Sequence, residues 1–158
     1  CNFLNADLSG MIFTACEFRD CDLSNARFAE TSFREVKFNA CKLLGLRFED
    51  VSDFLFEVAF EHCTLSFSSF YQCKLKKTAF KNTTLHEVDF TGADLTGAIF
   101  ADCDLAKSVF MNTNLEQADL RSAINFSIDP ESNRIKKARF SMTGLIGLLH
   151  KYEINYER

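Results

Sequence analysis

Phe or Leu returns every fifth residue along most of this chain. The first run is Phe3, Leu8, Phe13, Phe18, Leu23, Phe28, Phe33, Phe38, Leu43 and Phe48. A second run takes in Leu55, Phe60, Leu65, Phe70, Leu75, Phe80, Leu85, Phe90, Leu95, Phe100, Leu105, Phe110, Leu115 and Leu120. Neither the 3.6-residue period of a helix nor the two-residue period of a strand yields such spacing. A five-residue unit that turns a corner does. Successive units then wind round one axis, and coils stack through backbone hydrogen bonds about 4.8 Å apart. No unit buries its Phe or Leu alone, so the stack itself makes the core.

Numbering each unit from its Phe or Leu as the centre, i, gives position i−2 a small or apolar residue: Ala6, Ala26, Val36, Ala93, Ala98 and Ala118 among others. All seven Cys fall there too, at positions 1, 16, 21, 41, 63, 73 and 103. A free Cys at an inward position behaves as a small hydrophobe. The spacing is not that of a metal site, no His sits inward, and reduced thiols point to a cytoplasmic location. Positions i−1, i+1 and i+2 are mostly polar.

Composition agrees with a solenoid. The 158 residues include 18 Phe but only 6 Gly, 1 Pro and no Trp. So few turn residues argue against an ordinary sandwich or meander. A net charge of −4 disfavours direct nucleic-acid binding, and no apolar run is long enough to span a membrane. The chain opens at Cys1 with no visible signal peptide, and the natural protein is expected to begin earlier.

Units such as Ala6-Asp7-Leu8-Ser9-Gly10, Ala93-Asp94-Leu95-Thr96-Gly97 and Ala118-Asp119-Leu120-Arg121-Ser122 resemble the pentapeptide repeat family, written A-(D/N)-L-x-x. The resemblance implies an all-β fold, a right-handed quadrilateral parallel β-helix with four units per coil, hence about six coils here. Residues ten apart then lie on opposite faces. The strict alternation from Leu55 to Leu115 puts Phe60, Phe80 and Phe100 in one ladder, Phe70, Phe90 and Phe110 in the opposed one, and Leu on the other two faces.

The repeat breaks twice. Between Phe48 and Leu55 the spacing is seven, so two residues are extra within 49–54. The break is expected to leave the coil as a bulge with Phe54 and Phe56 turned outward beside Glu49, Asp50 and Asp53. Phe67 is the other outward Phe within the repeats. Such exposed aromatics in an acidic setting are candidate partner contacts; the alternative is a tolerated insertion whose Phe residues fold back onto the coil. Residues 121–134 read as an irregular coil, after which Ile135 and Phe140 resume the repeat to residue 140. Residues 141–158 read as a short helix N-capped by Thr143, with Leu145, Leu148, Leu149 and Tyr152 on one face, followed by a strand-like Ile154 and Tyr156. This segment is expected to cap the solenoid and to supply a homodimer contact.

Charge alternates along the chain. Residues 48–73 carry five carboxylates and no Lys or Arg; residues 74–87 carry four Lys against Glu87; residues 88–119 carry six carboxylates against Lys107. Asp89, Asp94, Asp104 and Asp119 share position i−1 and read as regularly spaced carboxylates that could enter a groove made for duplex DNA, or as an ordinary solvated surface.

Within the family, the Phe/Leu solenoid, the early break and the C-terminal Gly-Leu-Ile-Gly-Leu-Leu are most similar to the quinolone-resistance (Qnr) members. That resemblance implies a dimeric DNA-mimicking rod that binds type II topoisomerase (DNA gyrase, topoisomerase IV) and protects it from quinolones. The alternative is a non-catalytic interaction scaffold for another protein. Three dispersed His and no Gly-rich phosphate loop leave no site for catalysis or a cofactor.

Overall fold

The computed structural model describes residues 1–157. The chain is a parallel β-solenoid. Seven short strands form among the described residues: β1 (Ile12–Thr14), β2 (Glu17–Arg19), β3 (Ser32–Arg34), β4 (Val36–Asn39), β5 (Val58–Glu61), β6 (Ala79–Lys81) and β7 (Ile99–Ala101). β1 pairs with β3, while β2, β4, β5, β6 and β7 make one parallel sheet in that order. The other rungs are single parallel bridges. One such ladder runs Asn2, Asp22, Lys42, Thr64, Thr84, Asp104, Ile124. Its step is 20 residues, or 22 where the coil carries the insertion, so each coil holds four units and presents four faces.

We number the faces by their centres. The first carries Phe3 and the Leu column from Leu23 to Leu105; the second, Leu8 and the Phe column from Phe28 to Phe110. The third carries Phe13, Phe33, Leu75, Leu95 and Leu115, and the fourth the Phe column from Phe18 to Phe100, then Leu120. The fourth-face rings are in register, Phe18 over Phe38, Phe60, Phe80 and Phe100. They stack at 5.0–5.3 Å and within about 11° of parallel. On the second face Phe48, Phe70, Phe90 and Phe110 stack at 4.4–5.4 Å. The two columns also meet edge to face across the axis, as in the Phe80–Phe90 pair at 6.1 Å and 86°. Offset stacks and T-shaped contacts are the favoured aromatic geometries.

The corners explain how a chain so poor in Gly turns so often. Position i+2 is left-handed at nearly every corner, for example Asn25 (φ 55°), Lys77 (φ 57°) and Gln117 (φ 60°). The N–H of i+3 closes many of these turns onto the carbonyl of the centre, as Cys73 does onto Phe70 at 3.0 Å. This is the type II arrangement, whose third residue needs a positive φ. No Val, Ile or Thr adopts a positive φ among the described residues. A branched Cβ is the one feature that conformation tolerates least.

Inward i−2 side chains satisfy the carbonyls of the coil beneath. Thr113 Oγ1 donates to the Phe90 carbonyl at 2.8 Å, and the thiols of Cys41, Cys63 and Cys103 donate to Phe18, Phe38 and Phe80 at 3.3 Å. Of the seven Cys expected inside, five are buried; Cys1 and Cys16 are exposed because no coil lies beneath the first one.

The insertion differs from expectation in one respect. A 3-10 turn at Phe48–Asp50 replaces the left-handed corner. The chain stays laddered through Ser52, whose N–H donates to the Thr31 carbonyl at 2.9 Å, and rejoins at Glu57, which donates to Phe33 at 3.0 Å. Between them Leu55, expected as a core centre, sits at φ 55° with 62% of its surface exposed. Phe56, expected outside, is half-buried and packs on the core with Val51. Two surplus residues push the Leu55 slot off the ladder, and the larger ring folds back over the gap.

The C-terminal segment also departs from expectation. Residues Thr143–Leu148 and His150–Tyr152 are 3-10 turns, not an α-helix. Thr143 lies inside the first of these; Ser141 Oγ instead accepts the Gly144 N–H at 3.0 Å. No strand forms over Ile154–Tyr156. The segment lies over the last coil. Phe126 and Ile128 are 3% and 1% exposed, and the Ile128 N–H donates to the Gly147 carbonyl at 2.9 Å. Gly147 is glycine for lack of room: a Cβ there would meet the Phe126 ring at 2.5 Å and the Phe126 carbonyl at 2.6 Å. No helix among the described residues is long and apolar enough to cross a membrane.

Candidate functional site

The i−1 carboxylates belong first to the backbone. Asp7, Asp22, Asp89, Asp94, Asp104 and Asp119 each accept the N–H of the residue two positions on, at 2.8–3.1 Å. This is the Asx turn, which orders the start of each corner. It accounts for Asp or Asn in the repeat unit without reference to any partner.

The ladders place Asp89, Asp94, Asp104 and Asp119 on four different faces. Asp89 lies between Ser69 and Val109, Asp94 between Lys74 and Asn114, Asp104 between Thr84 and Ile124, and Asp119 between Ile99 and Arg139. No flat surface brings any two of them together. Three also have partners. Lys76 Nζ is 3.5 Å from Asp94, His86 Nε2 is 2.7 Å from Asp104, and Arg121 and Arg139 flank Asp119 at 2.7 and 3.5 Å. Hydrogen bonds from Arg121 hold the Asp119 carboxyl below the usual aspartate range. Partial burial raises Asp94 and Asp104, but bonds from Thr96 to the first and from His86 and Asn125 to the second outweigh it, so both end lowered. Asp89 has no Lys, Arg or His partner among the described residues.

The first acidic band is less bare in space than in sequence. Arg47 stands 3.5 Å from Glu49 and 3.2 Å from Asp50, Lys74 is 3.0 Å from Asp53, and Lys37 is 2.8 Å from Glu61. Lys37 and Lys74 come from the neighbouring coils.

Phe54 is 62% exposed, and the Arg34 guanidinium lies 5.3 Å from its ring centre. Phe67 is 63% exposed at the left-handed corner between the first and second faces, stacked between Gly45 and Glu87. Phe54 and Phe67 therefore belong to different faces. What joins Phe67 is a set the sequence reading missed. Tyr71, Val109 and Met111 are 44%, 46% and 53% exposed on the second face, Val109 in the ladder with Ser69 and Asp89, and Tyr71 and Met111 each one residue past its Phe centre. The signal was available: Tyr and Met at i+1, and Val at i−1, are apolar where the repeat is otherwise polar.

Of the C-terminal residues, Leu148 packs against the core, whereas Leu145, Leu149, Tyr152, Ile154 and Tyr156 are 40–53% exposed. Leu149, Ile154 and Tyr156 line one apolar hollow together with Ile146.

Known proteins place this architecture. Residues 1–39 and 16–52 match the profile of pentapeptide repeats in eight copies, and residues 52–120 match that of the pentapeptide repeat region. No curated protein matches. Among solved structures, a trypsin-treated variant of QnrB1, a plasmid-mediated fluoroquinolone resistance protein, aligns over 100% of this chain and 87% of its own. Its TM-score is 0.62 at 19% identity. A second such variant gives 0.52 at 24%, covering 99% and 86%. HetL of Nostoc, a pentapeptide repeat protein involved in heterocyst differentiation regulation, gives 0.54 at 14%, covering 90% and 89%. At these identities the likeness is one of fold. With four five-residue units to the coil, an Asx turn before many of the centres and profile matches running from residue 1 to 120, this chain belongs to the pentapeptide repeat family.

Proposed function

We propose that the chain is a non-catalytic binding rod that docks a partner protein on its second face. The observation that carries this reading is the exposed set Tyr71, Val109 and Met111 along the second face, with Phe67 at its corner, set on a parallel ladder through Ser69, Asp89 and Val109. Aromatic residues and Met are enriched where protein surfaces meet, and a ladder bonded on both sides orders them before binding, which lowers the entropic cost of docking. Asp89 sits within this face and has no Lys, Arg or His partner among the described residues. Cross-linking capture with the wild-type rod and with a Phe67→Glu, Met111→Glu double variant tests it. Loss of the same captured protein from the variant is expected; unchanged capture refutes the face.

A finer reading names type II topoisomerase as the partner. It is favoured by the likeness along the whole chain to QnrB1, a fluoroquinolone resistance protein. Against mimicry of DNA by the i−1 row stands its division among four faces. A gyrase supercoiling assay with ciprofloxacin decides: protection by added rod supports this partner, and no effect removes it.

The exposed C-terminal residues are proposed as a homodimer contact, while Leu148 and Gly147 serve as the cap. Light scattering on the full chain and on one lacking residues 141–158 tests this, and a monomeric full chain ends it. The buried thiols at Cys21, Cys41, Cys63, Cys73 and Cys103 support a reducing, cytoplasmic setting.

A further inference from the structure

The second face is not uniformly apolar along the rod. Three successive coils present it in register, with Ser69, Asp89 and Val109 in one ladder. Tyr71, Thr91 and Met111 form a second column, since Gln72 donates to the Thr91 carbonyl and Gly92 to the Met111 carbonyl, each at 2.9 Å. The exposed apolar groups belong to the outer two coils, Phe67 and Tyr71 below, Val109 and Met111 above. The middle coil offers Asp89 and Thr91, with Glu87 at the corner, and Gly92 leaves it without a side chain above Gln72. Asp89 Oδ1 accepts the Thr91 N–H at 2.8 Å. Among the described residues neither Asp89 nor Glu87 forms an ion pair, although Lys107 stands one coil above Glu87.

Spacing on this face selects the shape of what covers it. The two apolar coils lie two steps apart, about 9.6 Å, with the carboxylates midway, about 4.8 Å from each. In an α-helix, residues i and i+7 share one side about 10.5 Å apart, and i+3 or i+4 lies between them at about 4.5–6 Å. A tilt of about 24° to the rod axis brings that 10.5 Å to 9.6 Å. A strand laid along the same line repeats its side every two residues, about 6.6 Å, and is in step with neither the middle nor the upper coil. Charge then fixes the middle residue. An apolar side chain over the middle coil would strip water from Asp89 and give nothing back, whereas a cation there is met by Asp89 and Glu87 together.

We propose that the second face seats an amphipathic α-helix of the partner protein, laid nearly along the rod, with apolar side chains at i and i+7 and Lys or Arg at i+3 or i+4. The proposal rests on the reading of this face as the docking face and deepens it by naming what docks. Phe67 precedes Ser69 and Tyr71 follows it, so the lower apolar residue of the helix meets both rings. Val109 and Met111 receive the upper one. Anchors one and two helical turns apart are the usual way a helix is read by a surface.

The probes are fluorescein-labelled Ala-rich peptides of about 15 residues, stapled on the far side to hold the helix. One carries Leu at i and i+7 with Lys at i+4, a second has Glu in place of that Lys, and a third keeps the Lys but sets the two Leu on opposite sides. Fluorescence anisotropy reads each against the full chain. The Lys helix is expected to saturate and to bind about tenfold tighter than the Glu helix, attraction being exchanged for repulsion. Asp89→Asn keeps the Oδ1 acceptor for Thr91 and, combined with Glu87→Gln, erases that preference. Met111→Ser weakens both helices about fivefold, and Asp22→Asn on the first face changes neither. Equal binding of the Lys and Glu helices, a preference that survives the double variant, equal binding of the helix with opposed Leu, or no saturation up to about 2 mM each overturn the proposal. Such a failure removes the helix alone, since capture with the Phe67→Glu, Met111→Glu variant decides the docking face separately.

Discussion

Replacing Gly147 with Ala asks whether the C-terminal segment truly caps the solenoid. Gly147 has no positive φ, so its backbone accepts Ala and the cost is steric alone. The new Cβ would lie 2.5 and 2.6 Å from Cε2 and Cδ2 of Phe126, and 2.6 Å from its carbonyl oxygen. The ring can tilt, but the carbonyl belongs to a buried backbone. Moving Gly147 away strains the hydrogen bond from Ile128 to the Gly147 carbonyl, 2.9 Å long. Overpacking costs about 1–3 kcal/mol and the loss of one such bond about 1 kcal/mol, so a destabilisation of about 2–4 kcal/mol is expected. The cost is bounded by the free energy of docking the cap: beyond that the segment lifts and exposes Phe126 and Ile128. Guanidinium unfolding followed by circular dichroism measures the total, and hydrogen exchange at the Ile128 amide reports the lifting. Gly144→Ala is the internal control. Its Cβ meets only side-chain ends, Ser141 Oγ at 3.0 Å and Phe126 Cζ at 3.1 Å. It should cost less than about 1 kcal/mol. Equal costs at the two glycines, or an Ile128 amide as protected in Gly147→Ala as in the wild type, would refute the reasoning.

Three further outcomes follow from the packing and charge. Phe80, fully buried between Phe60 and Phe100, should lose about 3–5 kcal/mol as Ala and less than half of that as Leu, read by the same unfolding. In the native chain only Cys1 and Cys16 should react with a thiol reagent at pH 8, because the other five thiols are buried; burial pushes Cys73 and Cys103 up to about 12, and although the hydrogen bond with Cys63 lowers Cys41 to about 6, packing shuts the reagent out; mass spectrometry counts the labels, and modification of Cys41 or Cys103 before unfolding would contradict this. Asp94, Asp104 and Asp119 are held below the usual aspartate value of 3.8, so their contribution is complete above that value and is lost as pH falls through their lower folded values. Tm should therefore stay level from pH 7 to about 5 and fall below about 4, and a level Tm down to about pH 2 would show these bonds to be idle.

Much of the fold was legible because one physical demand repeats. Each coil must bury the same slot, so Phe60, Phe80 and Phe100 announce their stack through spacing alone. The corners are legible for a related reason: left-handed backbone excludes branched side chains, and Lys77, Gln117 and Asn25 obey that rule. The bulge was not legible. Spacing assigns Leu55 to the core, but with two surplus residues the competition between Leu55 and Phe56 for one slot is settled by which can fold back, and no periodicity encodes it. The cap misled for another reason. Leu145, Leu148 and Leu149 have helical spacing, but contact with Phe126 at Gly144 and Gly147 draws the segment into tighter 3-10 turns. For the surface, reading Asp89, Asp94, Asp104 and Asp119 as one row ignored that equivalent positions recur on four faces. The same geometry, applied to Tyr71, Val109 and Met111, gathers residues up to 40 positions apart onto one.

The 20-residue ladder step makes this chain a clock as well as a rod. Removing five residues would rotate everything above the cut by a quarter turn, setting the Phe column of one face over the Leu column of the next. Removing ten would restore Phe over Phe but carry the second face to the far side. Only the loss of a whole coil keeps both the core and the outer faces in phase. The two-residue bulge survives because it leaves the angular count untouched: Phe38 still stands beneath Phe60. A surface on such a rod can lengthen or shorten only in whole revolutions, about 4.8 Å at a time.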